Sequence, residues 1–198
     1  PGSGREAGAV YGLPEVTPGE VAQARLVANP GCYPTGVILS LLPLMREGLV
    51  DRARPVMISA ASGVTGAGRT PKRELLFAEV SGDFRAYGLG NEHRHLREMR
   101  ATLPDLQLLF VPHLLPVARG ILETIALPVL PDVDAGRVRA AWEEAYGDSG
   151  AVRVMDAAPA LADVTGTDVL ALAAFDNAGL TAPTVTVVAA LDNLGKGA

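Results

Sequence analysis

Leu106-Gln107-Leu108-Leu109-Phe110-Val111, followed by Gly120-Ile121-Leu122-Glu123-Thr124-Ile125-Ala126-Leu127-Pro128-Val129-Leu130, reads as two long strands in succession. Both runs are rich in branched and aromatic apolar residues, and the link between them holds Pro112, Pro116 and Gly120. Working outward, Val56–Ala61, Val169–Phe175 and Thr184–Leu191 have the same character. The last two are separated by the turn-like Asp176-Asn177-Ala178-Gly179. Strands therefore come in blocks with few helices between them, not in the regular strand–helix alternation of a dinucleotide-binding domain. The expected class is α+β, with a mixed, largely antiparallel sheet and flanking helices.

The main helix begins near Cys32 or Thr35 and ends before Gly48. Within it Val37, Ile38, Leu41, Leu42, Leu44 and Met45 recur at helical spacing. A second helix is expected over Val133–Tyr146, with Asp132 or Asp134 near its start, and a short one over Gly19–Arg25. Leu26–Asn29 reads as a strand stopped by Pro30 and Gly31.

The chain has 198 residues, nearly half of them hydrophobic, and a formal net charge of −5. That composition suits a folded globular protein and argues against a nucleic-acid partner. No apolar run has the length of a membrane-spanning helix. The single cysteine rules out an intrachain disulfide and fits a reducing, cytoplasmic setting.

Chemistry concentrates at Ala28-Asn29-Pro30-Gly31-Cys32-Tyr33-Pro34-Thr35, which puts the one thiol at a strand–turn–helix junction. Free N–H groups at a helix start favour a thiolate and can also stabilise an oxyanion. From these residues alone Cys32 is either an activated nucleophile, expected to titrate below the free thiol, or a small buried hydrophobe. The second concentration is Asn91-Glu92-His93-Arg94-His95-Leu96-Arg97-Glu98, which is either an acid/base partner for that thiol or a charged turn entering a helix. Zinc held by Cys32, His93, His95 and His113 is a third reading, without a familiar spacing. The glycine-rich Ser62–Arg69, with Lys72 and Arg73 behind it, suits phosphate or carboxylate, or is a plain surface loop. Gly2-Ser3-Gly4-Arg5-Glu6-Ala7 matches a dinucleotide fingerprint only in its letters, because no strand precedes it.

Taken together, Ala9–Glu15, Val27–Thr35, Ser62–Arg69, His93–His95, Phe110–Pro116, Arg119–Leu122 and Leu191–Ala198 resemble the N-acetyl-γ-glutamyl-phosphate reductases of arginine biosynthesis. The resemblance implies a fold like the C-terminal catalytic domain of glyceraldehyde-3-phosphate and aspartate-semialdehyde dehydrogenases. It implies Cys32 as nucleophile and His93 as its acid/base partner, with His95 the runner-up. Ser62, Gly63 and Asn193 would lie near the nicotinamide, and Asn29, His95 and Arg119 would contact substrate. The implied cofactor is NADP(H), held mainly by a Rossmann domain that this sequence lacks; no metal is implied. On that reading 1–14 is the tail of a nucleotide-binding domain, 15–190 the catalytic and dimerisation domain, and 191–198 the start of a return to the nucleotide domain. The implied partners are a small acyl-phosphate substrate and a second copy of the chain. Two rivals stand beside it: the sister reductase of lysine biosynthesis acting on aminoadipyl phosphate, and a non-catalytic dimerisation module.

Overall fold

The computed structural model describes residues 8–67 and 76–198. Arg69, Lys72 and Arg73 of the glycine-rich segment, and the letters-only fingerprint at 2–7, lie outside them. The chain orders as β1 (Val10–Tyr11), α1 (Pro18–Gln23), β2 (Val27–Ala28), α2 (Cys32–Arg46), β3 (Val56–Gly63), α3 (Phe77–Val80), β4 (Arg85–Ala86) and α4 (His95–Thr102). It continues through β5 (Leu108–Leu115), β6 (Ile121–Pro128), α5 (Ala135–Tyr146), β7 (Val152–Val154), β8 (Leu170–Asp176) and β9 (Thr184–Leu191).

The principal sheet has seven strands in the order β4-β5-β3-β6-β9-β8-β7. β3 runs parallel to β5, and β7 parallel to β8. The pairs β3–β6, β6–β9, β8–β9 and β4–β5 are antiparallel. The mixed, mostly antiparallel sheet read from the sequence is therefore present. β5 runs further than expected, through Pro112 and His113 to Leu115. A proline weakens the strand signal because it cannot donate to the ladder, but here its carbonyl still accepts from Tyr87 N.

α2 lies at the centre, and every residue from Tyr33 to Met45 is buried. It contains two prolines that a free helix would resist. Pro34 falls in the first turn, where its missing N–H matters little. Pro43 deprives the Leu39 carbonyl of its helical donor, and the Tyr146 hydroxyl of α5 donates to that carbonyl at 2.8 Å instead. One residue on, Trp142 Nε1 donates to the Ser40 carbonyl at 2.8 Å. The helix ends at Arg46, and Gly48, with a φ of 69°, turns the chain away into Leu49.

One sheet face carries Ile58, Ala60, Ile121, Ile125, Val187 and Ala189, all buried in the main core with α2. Along β6 the inward positions alternate Ile121, Glu123, Ile125 and Leu127, so a carboxyl sits in an otherwise apolar row. The opposite face is covered at β8 and β9, where Ala171 and Ala190 are buried with Val164, but is open at β3 and β5: Met57 is 46% and Leu109 40% exposed, and the two are cross-strand neighbours.

Candidate active site

Cys32 is the first residue of α2. Gly31 is its N-cap, with no side chain to satisfy the first N–H groups. The turn before it is fixed from outside: Glu98 Oε1 of α4 accepts from Gly31 N at 2.8 Å and from the Tyr11 hydroxyl of β1. The Gly31 carbonyl accepts from both the amide and the hydroxyl of Thr35 at 3.0 Å. One carboxylate thus ties β1 and α4 to the residue preceding the thiol.

Both histidines singled out in the sequence come to this turn. The His95 ring lies flat against Gly31, where a Cβ would fall 2.7 Å from its Nε2. That approach is why residue 31 has no side chain. The His93 ring packs edge-on to Tyr33, Tyr87 and Phe110, with its centroid 4.8 Å from that of His95. His93 Nδ1 accepts from the His95 amide at 3.2 Å, which leaves Nε2 as the nitrogen able to handle a proton. Burial, then Arg94, lowers the His93 pKa. Burial, then His93 and Arg94, brings His95 down to about 4. Both rings are therefore neutral at pH 7.

The thiol departs from the sequence expectation. Burial pushes Cys32 up to about 11. The N–H groups of Tyr33 and Cys32 and the charge on Arg94 pull the other way, and the carboxyl of Glu123 adds to the rise. The helix start acts as anticipated, but desolvation of the charged form outweighs it. Sequence shows the helix start; it does not show what covers the sulfur.

Ser62, Gly63, Arg119 and Asn193 gather in the neighbouring corner, where β3 ends, β6 begins and β9 ends. Asn193 Oδ1 accepts from Gly120 N at 2.6 Å and its Nδ2 donates to Thr65 Oγ1 at 3.0 Å. Ser62, which is buried, donates to the Gly63 carbonyl, and a Cβ on Gly63 would meet the Arg119 backbone at 2.8 Å. Arg119 Nε donates to Asp192 Oδ1 at 2.9 Å, within an ion pair to a fully buried carboxylate. The corner adjoins the thiol, because a Cβ on Gly197 would fall 3.2 Å from both Cys32 Cβ and Asn193 Cα. Asn29 is exposed, and its amide donates to the Ala198 carbonyl at 2.6 Å. His113 is apart, stacked on Phe84, and among the described residues no group of three His, Cys, Asp or Glu is arranged to hold a metal.

The family model of the semialdehyde dehydrogenase dimerisation domain matches residues 32–193, beginning at the thiol itself. This chain belongs to that family. Among the relatives of this semialdehyde dehydrogenase domain is an N-acetyl-gamma-glutamyl-phosphate reductase of Desulfotalea psychrophila, 42% identical over 96% of the chain and 56% of the relative. Another, from Geobacter sulfurreducens, is 43% identical over the same shares. The resemblance read from the motifs is thereby borne out, and the chain spans a little over half the length of these curated relatives. Among solved structures, aspartate semialdehyde dehydrogenase II of Vibrio cholerae in complex with ASA superposes with a TM-score of 0.72 at 15% identity, over 96% of this chain and 64% of that one. A probable aspartate-semialdehyde dehydrogenase from Pseudomonas aeruginosa gives 0.71 at 17%, over 96% and 65%. At these identities the likeness is one of fold.

Several participants carried no role in the sequence reading. Glu98 stood at the end of the histidine segment without an assignment. Tyr33 and Tyr87 share a hydroxyl–hydroxyl hydrogen bond of 3.1 Å over the histidines. Asp192 preceded the assigned Asn193. Glu123 had a legible signal, a lone acid at an inward strand position.

Proposed function

We propose that this domain is the catalytic part of an NADPH-dependent N-acetyl-γ-glutamyl-phosphate reductase, with Cys32 as nucleophile. The observation that carries the reading is a lone thiol on the first residue of a buried helix, with two neutral imidazoles packed on the same turn. The Cys32 thiolate attacks the acyl carbon of the substrate, the carbon–oxygen bond to phosphate breaks, and a thioester forms on Cys32. Amide N–H groups at the start of α2 lie where an oxyanion develops. NADPH, when bound, supplies the hydride that takes the thioester to the aldehyde level. His93, with Nε2 available, gives and takes the proton at the former carbonyl oxygen, and the carbon–sulfur bond then breaks, returning the Cys32 thiolate and releasing the semialdehyde; His95 is the alternative. Ser62, Gly63 and Asn193 fit the role of a wall for the nicotinamide: their corner adjoins the thiol through Asn193, and their hydrogen bonds hold that wall in shape. Asn29, His95 and Arg119 complete the substrate side. The dinucleotide itself would be held mainly by a nucleotide-binding domain outside these residues.

The uncovered sheet face around Met57 and Leu109 supports pairing with a second copy, in keeping with the family's designation as a dimerisation domain. The test joins this chain to the nucleotide-binding domain of a relative. NADP-dependent oxidation of N-acetylglutamate semialdehyde is then assayed with phosphate present. Activity abolished by Cys32→Ser is expected. Full activity in Cys32→Ser refutes the mechanism. Activity only on the carrier-bound aminoadipate semialdehyde assigns the domain to the lysine-pathway reductases.

A further inference from the structure

Glu123 is the one fully buried acid with neither oxygen engaged among the described residues: it is wholly inaccessible, and no donor meets Oε1 or Oε2. A charged group in that state is costly, and a carboxyl at such a position is rarely left without a purpose. The surroundings are shaped to hold it. Its cross-strand neighbours are Ala60 on β3 and Ala189 on β9, and the helix above presents Gly36. A Cβ on Gly36 would lie 2.3 Å from Glu123 Oε2 and 2.8 Å from Cδ. Glycine inside a helix is unfavourable relative to alanine, and here its bareness is what admits the carboxyl. Gly36 is four residues beyond Cys32, so the two share one face of α2, a turn apart. The carboxyl is therefore lodged against α2 one turn from the nucleophile, where its charge reaches the thiol.

We propose that Glu123 is a positioning residue for the charge on Cys32: once ionised it holds Cys32 as the neutral thiol, and the thiolate forms freely only while Glu123 keeps its proton. The inference rests on the reading of Cys32 as nucleophile. Cys32 is partly buried and Glu123 fully so; two like charges so placed oppose each other, and the pair carries one negative charge more readily than two. The groups whose charge reaches the thiol are Tyr33 on its own helix, Arg94 at the start of α4, Tyr87 beyond β4 and Glu123 from the sheet, while His93 and His95 pack on Tyr33 beside it. The histidines are neutral, and Arg94 favours the thiolate. Tyr33 and Tyr87 also turn against it on ionising, but burial raises both above the ordinary tyrosine value, and Glu123 is the one carboxyl among these groups. Burial raises the Glu123 pKa well above the ordinary carboxyl range, which brings its proton loss towards working pH. A proton kept on Glu123 thus removes one of the two influences that raise the thiol, burial being the other.

Cys32 is the only thiol in the chain, so iodoacetamide reports on it alone. Alkylation rate is followed against pH for the parent chain and for Glu123→Gln, which keeps the shape and removes the charge. The variant is expected to show its midpoint lower by at least about half a pH unit, roughly three-fold more thiolate at a fixed pH below both midpoints. A folded Glu123→Gln with an unchanged midpoint overturns the proposal. If the variant does not fold, the parent chain labelled with 13C decides the matter. The Cys32 Cβ resonance should show a small step where the Glu123 carboxyl titrates and its main step above it. A Cys32 curve indifferent to the Glu123 titration overturns the proposal equally. Neither measurement needs cofactor or acyl phosphate. A shifted midpoint in an enzyme without reductase activity therefore defeats only the functional reading, and an unchanged midpoint in an active enzyme defeats only this one.

Discussion

Replacing Asp192 with alanine tests the corner that is argued to shape the cofactor wall. The side chain is fully buried, and its oxygens accept from Arg119 Nε at 2.9 Å, from Leu194 N at 2.9 Å and from Gly166 N at 2.5 Å. Alanine leaves all three donors without an acceptor. Removing one partner of a buried ion pair costs ~3–5 kcal/mol. The Arg119 side chain is 34% exposed, so water recovers part of its loss and the lower end, about 3 kcal/mol, is expected. For a chain of this length each kcal/mol moves the melting temperature by about 2–4 °C. Asp192→Ala should therefore melt roughly 6–12 °C below the parent at neutral pH, followed by circular dichroism. The pH dependence has a definite sign. Burial alone would raise the Asp192 pKa, but Arg119 and the Gly166 and Leu194 amides overcome it and hold it below the ordinary value. Its stabilisation is thus complete above the unfolded carboxyl pKa and is lost as pH falls through the lower folded value. The gap between parent and variant should close in acid. A variant melting within about 2 °C of the parent at pH 7, or a gap that widens in acid, refutes the reasoning.

Gly36→Ala should destabilise the chain by about 1–3 kcal/mol despite alanine's better helix propensity, because the new methyl meets the Glu123 carboxyl. Combined with Glu123→Ala, the loss measured by denaturant unfolding should be smaller than the sum of the two single changes; an additive loss shows that the two sites do not touch. His95 should stay neutral down to near its midpoint of about 4 in a histidine NMR titration. Because that folded pKa is lowered, its stabilisation is complete above the unfolded value of about 6.5 and drains away as pH falls through 4. A His95 ring protonated at pH 6 contradicts the buried placement.

Much of this architecture is local in origin and so was legible along the chain. The period of Val37, Ile38, Leu41, Leu42 and Leu44 is that of a helix, and α2 runs from Cys32 as read. Thr184–Leu191 forms a strand over the whole expected span, and α5 starts where Asp134 accepts from Arg137 N. These features follow from side-chain periodicity and from capping and turn residues, which act over a few neighbours. Cys32 at a helix start belongs to the same class, since Pro30 and Gly31 dictate the turn in place.

What depended on tertiary structure was everything set by distant neighbours. Strand order, the short β4 and β7, and the run of β5 through Pro112 were settled by pairing across the sheet, where a partner strand compensates for weak local preference. The meeting of His93 and His95 with Gly31, the rescue of the Leu39 carbonyl by Tyr146, and the closing of Asp192 on Arg119 join residues far apart in the chain. The thiol shows the division most sharply. Its helix start was readable and favours ionisation, yet the sulfur is partly buried and within reach of the Glu123 charge. A residue's type and sequence neighbours set its intrinsic chemistry. Desolvation and the charges brought alongside set its state, and both exist only once the chain has folded.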